Sequence, residues 1–125
     1  MKIILDTNFL IYCSKEKLDY EEELAELINE PYELVVPEQV LAELEKLKNI
    51  AKKGRDKQAA SIALQILEKK GIKKIKAEGE SVDEAIINLA KEDSKNIVCT
   101  LDREMRHILG RVILLNRKKR LILTK

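Results

Sequence analysis

Four acidic residues of this sequence stand where a carboxylate is costly. Asp6 follows directly on the apolar run Ile3-Ile4-Leu5, and Asp102 comes shortly after Ile97-Val98-Cys99. Glu43 falls inside the arc formed by Val40, Leu44, Leu47 and Ile50, and Asp83 inside that of Val82, Ala85, Ile86, Leu89 and Ala90. Both arcs follow from spacing at about 100° per residue. Glu38, Glu45 and Glu84 point away from them. A carboxylate at the end of a buried strand, or on the apolar side of a helix, loses hydration that something else must replace. A fold that accommodates four such groups does so most simply by bringing them together around a divalent cation.

The rest of the chain supplies elements able to do this. Short apolar runs alternate with helical patterns. Lys2 to Leu5, Glu33 to Val36, Ile72 to Lys76 and Asn96 to Thr100 read as strands. Helices are expected over Thr7 to Ser14, Asp19 to Asn29, Pro37 to about Ala51, Asp56 to Lys70, Val82 to about Asp93 and Asp102 to Leu109. Pro37 suits the first helical turn, where a missing N–H is harmless. Gly54 reads as a break between helices, Gly71 and Gly110 as helix stops, and Ser81 as an N-cap. Val112 to Leu115 and Leu121 to Leu123 then make a possible terminal hairpin around a basic turn. Strands alternating with helices call for an α/β fold with a mostly parallel sheet covered on both faces. In such sheets the ligand crevice lies beyond the carboxyl ends of the strands, which is where Asp6 and Asp102 fall.

The 125 residues are expected to form a single domain spanning 1–125, large enough for a real core. Charge is unevenly spread. Arg103, Arg106, Arg111, Arg117, Lys118, Lys119, Arg120 and Lys125 face only Glu104 in the last stretch, while acids concentrate between Asp19 and Glu30. The asymmetry suits a polyanionic partner, with an ordinary solvated surface as the alternative. With three Tyr, one Phe and no Trp, an aromatic platform for stacking bases is not expected. Cys13 and Cys99 lie in apolar surroundings and read as buried, reduced thiols. No apolar run approaches the ~20 residues of a membrane span. There is no signal-peptide pattern, so a cytoplasmic location is expected.

Oxygen-only donors suit Mg²⁺ or Mn²⁺. Zinc is disfavoured, because His107 is the only histidine and the two cysteines lack ligand spacing. Each acid also has a local alternative. Asp6 and Asp102 can cap the helices that follow them, Asp83 suits a first helical turn, and Glu43 can pair with a nearby lysine. Other phosphate chemistries fit less well. Asp6-Thr7-Asn8 lacks the second acid of an Asp-x-Asp phosphatase motif, the acidic pair of a receiver domain is missing, and there is no P-loop.

Four segments carry a family resemblance. Leu5-Asp6-Thr7-Asn8-Phe9-Leu10-Ile11 resembles the opening motif of PIN-domain nucleases. Val40-Leu41-Ala42-Glu43-Leu44 is similar to their second motif, Ser81-Val82-Asp83-Glu84-Ala85-Ile86 to the third, and Thr100-Leu101-Asp102-Arg103-Glu104-Met105 to the fourth. The order agrees and the resemblance spans nearly the whole chain. It implies a three-layer α/β/α sandwich and metal-dependent endoribonuclease activity, as a VapC-like toxin or an rRNA-processing nuclease. A PIN-fold module that binds RNA or protein without cutting is the alternative. Carried over, Asp6, Glu43, Asp83 and Asp102 would hold one or two Mg²⁺ or Mn²⁺ ions. Asn8 would orient Asp6 or a water, Thr100 would frame the fourth acid, and Glu84 stands where many relatives have an outer Asp. Lys46, Lys52, Lys53, Arg55, Arg103 and Arg106 flank these motifs and are candidates for holding RNA phosphates. The resemblance also implies an antitoxin partner for a toxin role, and a homodimer.

Overall fold

The computed structural model describes residues 1–50, 54–116 and 118–124. Among them are six strands and six helices, with one or two helices between successive parallel strands. They are β1 (Lys2–Leu5), α1 (Thr7–Glu16), α2 (Tyr20–Leu27), β2 (Glu33–Pro37), α3 (Glu38–Ile50), α4 (Gly54–Lys69), β3 (Lys73–Ile75), α5 (Val82–Lys91), β4 (Ile97–Cys99), α6 (Arg103–Leu109), β5 (Val112–Leu115) and β6 (Leu121–Leu123).

The strands form one sheet in the order β3-β2-β1-β4-β5-β6. All neighbours are parallel except β5 and β6, which close the sheet as the expected antiparallel hairpin. From β1 the chain steps through β2 to β3 on one side, then crosses back to β4 and β5 on the other. Right-handed connections therefore place α1 to α4 on one face and α5 and α6 on the other, the three-layer α/β/α arrangement. Consistently, α1 and α3 both pack on α4, while α5 lies on β1, β2 and β4. The central strands are apolar on both faces because both faces are covered. Ile3, Ile4 and Leu5 of β1 and Ile97, Val98 and Cys99 of β4 are fully buried.

Local signals explain most element boundaries. Asp6, Asp19, Ser81 and Asp102 each cap a helix through a side-chain oxygen. Gly110 ends α6 at φ 78°, and Gly71 follows α4 at φ 63°, both in the region glycine favours. Two expectations shift. Pro37 is the last residue of β2, opposite Ile75 of β3, rather than the first of the helix. Either placement suits a residue without an N–H. Gly54 opens α4 instead of standing before it, and Ala51, where α3 was expected to end, lies outside the described residues. Cys13 and Cys99 are buried free thiols, as expected, and burial pushes the Cys13 thiol up to about 12.

The basic turn of the hairpin meets the acidic helices instead of standing free. Lys119 Nζ lies 3.0 Å from Glu16 and Arg120 Nε 3.3 Å from Glu23. Part of the charge asymmetry is thus neutralised internally, and the polyanion reading of that cluster loses two of its cations. Arg117 and Lys125 lie outside the described residues. Among the described residues no helix is long and apolar enough to cross a membrane.

Candidate active site

The order in which strands are added reverses between the parallel neighbours β1 and β4, and the crevice beyond their carboxyl ends is where such folds bind ligands. A cleft of about 630 Å³ opens there. Asp6, Glu43, Asp83 and Asp102 all line it, with Asn8 and Ser81 between them. Four elements, distant in sequence, thus deliver their acids to one place.

Asp6 is the buried member, only 4% exposed. Its Oδ1 accepts the backbone N–H of Thr7 at 2.7 Å and its Oδ2 accepts the hydroxyl of Thr100 at 2.7 Å. The same Thr100 oxygen accepts the N–H of Asp102 at 3.0 Å. One fully buried threonine therefore ties the first acid to the segment bearing the fourth. Burial pushes the Asp6 carboxyl above its usual range. The Thr100 and Thr7 bonds oppose that rise, and the nearby charges of Asp83 and Glu43 add to it.

The other three acids are wetter than their places in the apolar arcs (Glu43, Asp83) or after an apolar strand (Asp102) imply. Glu43 is half-buried, and Asp83 and Asp102 are exposed. Ile50, counted in the same arc as Glu43, is 61% exposed at the end of α3. Arc counting treats a helix as packed along its whole length, whereas first turns and last turns here project past the sheet. Only Asp6 bears a large desolvation cost.

Asp83 is placed by a fastened loop. Gln39, one turn before Glu43 on α3, donates from Nε2 to the carbonyls of Ala77 at 2.6 Å and Gly79 at 3.0 Å. Asn88 Nδ2 donates to Glu78 O at 2.7 Å. Ser81 accepts the N–H of Glu84, and Glu84 Oε2 accepts the N–H of Glu80, a return bond like that of a capping box but to the residue before the cap. Gly79 sits at φ 146°, and a Cβ there would stand 2.6 Å from Ala85 N. Glu84 is therefore engaged at the helix start and is not among the residues lining the cleft.

Of the candidate RNA-binding cations, Lys46, Arg55, Arg103 and Arg106 are all exposed. Lys46 borders a second groove that shares Glu43, Ser81 and Val82 with the acid cleft. None of these four lines the acid cleft itself, and Lys52 and Lys53 lie outside the described residues. The cleft does contain a cation that an acid-based selection passes over, Lys15, together with Tyr12. Asn8, Tyr12 and Lys15 fall at i, i+4 and i+7 of α1, so the stripe was readable once Asn8 was placed.

As donors the four carboxylates are hard oxygens, the type that Mg²⁺ and Mn²⁺ take. Among the described residues no three His, Cys, Asp or Glu side chains are already drawn together as a metal-binding cluster. Asp6 nonetheless feels the charges of both Glu43 and Asp83 across the cleft. Like charges held apart in this way are relieved by a cation between them.

Four matches to known proteins bear on this site and its fold. A family model described as a PIN like domain matches residues 3–118. Ribonuclease VapC4 of Methanocaldococcus jannaschii is 38% identical over 109 residues, covering 86% of this chain and 82% of that protein. Among solved structures, the PIN domain endonuclease Utp24 superposes with a TM-score of 0.75 at 23% identity, covering 96% of this chain and 90% of that one. VapBC2 from Rickettsia felis, bound to a DNA fragment from its promoter, gives 0.52 at 21% identity, covering 86% and 93%. At those identities the two structures bear on the fold alone.

Proposed function

The chain belongs to the PIN-like domain family, and on that premise we propose that it is a metal-dependent endoribonuclease that hydrolyses RNA phosphodiester bonds in the acid cleft. The observation that carries the proposal is the convergence of Asp6, Glu43, Asp83 and Asp102 on one crevice at the switch point of the sheet. The substrate class is supported by the relative named as a ribonuclease, 38% identical over most of both chains.

In this reading Asp6, Glu43, Asp83 and Asp102 hold Mg²⁺ or Mn²⁺. Such an ion supplies Lewis-acid chemistry, making water more acidic and offsetting phosphate charge. Asp6 is the fixed point, because two hydrogen bonds leave its carboxylate one orientation while lone pairs remain for a cation. Thr100 keeps Asp102 in register with it through the N–H it accepts. Glu43 and Asp83 close the cleft from the other side, their spacing set by Gln39 and the loop it grips. Asn8 stands at the mouth as a neutral donor and acceptor for a water or a sugar hydroxyl. The exposed Lys46, Arg55, Arg103 and Arg106 draw the RNA backbone toward an otherwise repulsive site.

Of the two biological roles, the VapC-like one is supported by the identity to Ribonuclease VapC4, and it brings with it an antitoxin protein as partner. The test is incubation of the purified protein with structured and unstructured RNA in Mn²⁺, Mg²⁺ or EDTA, beside Asp6→Asn. The reading predicts cleavage that needs the metal and disappears in the variant. RNA binding without cleavage under every condition would instead establish a silent PIN-fold binding module.

A further inference from the structure

Lys15 is the only cation lining the acid cleft among the described residues, and it was not placed there by any of the four motifs. It lies seven residues after Asn8 on the same stripe of α1, which separates the two by about 10 Å along the helix axis. Its ammonium is ion-paired with Asp56 in the first turn of α4, and both side chains are partly exposed, at 28% and 41%. A pair at that exposure is worth at most about 1 kcal/mol, so a stronger anion can displace it. The rest of the cleft lining is anionic, neutral polar or apolar, with Ile11 and Tyr12 beside Lys15 on α1.

We propose that Lys15 is a phosphate anchor of the cleft. Asp56 holds the ammonium at the rim, and a backbone phosphate of single-stranded RNA, flanking the phosphate at the acids, takes it over on binding. The contact fixes the direction in which the strand crosses the four carboxylates. The proposal rests on the ribonuclease reading. Its rival is a plain tie between α1 and α4, in which the Lys15–Asp56 pair serves packing and has no part in binding.

The two differ in sign. In an Asp6→Asn background, binding of a fluorescent 12-nucleotide oligouridylate is titrated at several salt concentrations, adding Lys15→Gln, Lys15→Arg or Asp56→Asn. One lost phosphate contact lowers the salt slope by about 0.7, which corresponds to about fivefold weaker binding at 0.1 M salt. Lys15→Gln is expected to show both effects, Lys15→Arg to restore them, and Asp56→Asn to tighten binding by releasing the ammonium. In protein with Asp6 intact, Lys15→Gln is expected to raise KM with little change in kcat. If Lys15→Gln leaves the slope unchanged, or weakens binding only as Asp56→Asn does, the anchor is refuted while RNA binding stands. If the Asp6→Asn protein binds no RNA and the wild type cuts none, the ribonuclease reading falls and the anchor with it.

Discussion

Thr100→Val removes one hydroxyl and keeps the side-chain volume, so its effect measures what that oxygen does. Two bonds disappear. The donation to Asp6 Oδ2, 2.7 Å long, goes to an ionised group, and such bonds contribute about 1.5–3 kcal/mol. The bond accepted from Asp102 N–H is a neutral one, worth about 0.5–1.5 kcal/mol. Together these predict a loss of about 2–4 kcal/mol, or on the order of 10 °C in Tm for a domain of this size. The neighbouring Thr7→Val is the control. Its hydroxyl is equally buried but has no partner among the described residues, so the same chemical change there is expected to cost less than about 1 kcal/mol or to stabilise. The deficit of Thr100→Val also depends on pH. Thr100 lowers the Asp6 pKa, so its loss raises a folded pKa already above 3.8. The variant therefore falls further behind the wild type as pH rises through that range, and the gap narrows in acid, where Asp6 is neutral. Urea unfolding at pH 4 and pH 7.5, without metal, reads all three quantities. Equal stability of Thr100→Val and Thr7→Val at pH 7.5 would refute the claim that Thr100 holds a buried carboxylate in place.

Three further outcomes can be checked, two from this geometry and one from the family resemblance. Because burial raises the Asp6 pKa, its ionised form opposes folding above that pKa. Asp6→Asn is therefore expected to raise the Tm of metal-free protein at pH 7 and to lose that advantage in acid, while added Mn²⁺ stabilises the wild type more than the variant; calorimetry at both pH values checks the sign. Gln39→Glu sets a carboxylate against the carbonyls of Ala77 and Gly79, which costs about 2–4 kcal/mol and releases the loop before Asp83, seen as faster amide exchange over residues 77–83. The homodimer implied by the family resemblance predicts twice the 14.4 kDa chain mass by light scattering at micromolar concentration, and a monomer there would remove it.

The sequence carried a good deal of this, for physical reasons that differ from element to element. Strands buried on both faces must be apolar runs, so β1 and β4 were readable, and the caps at Asp6, Ser81 and Asp102 follow from residue type alone. Asp6 and Asp102 proved to be caps as well as cleft residues, since a carboxylate that accepts one N–H still has lone pairs to offer. Strand order was not readable, because it depends on which way each crossover turns. The exposure of Asp83 and Ile50 was hidden for a related reason, since periodicity does not say where the sheet ends beneath a helix. Lys15 belongs to none of the four motifs, and the pairing of Lys119 and Arg120 with Glu16 and Glu23 exists only once the hairpin folds against α1 and α2.

Asp6, Glu43, Asp83 and Asp102, brought from four parts of the chain to one cleft, are proposed to hold divalent metal together. Calorimetric titration of Mn²⁺ into metal-free wild type, and into Asp6→Asn, Glu43→Gln, Asp83→Asn and Asp102→Asn, tests this most directly. The account predicts saturable binding by the wild type, weakened at least about tenfold, or 1.4 kcal/mol, in each variant. Binding that is absent in the wild type, or unchanged across all four variants, would contradict it.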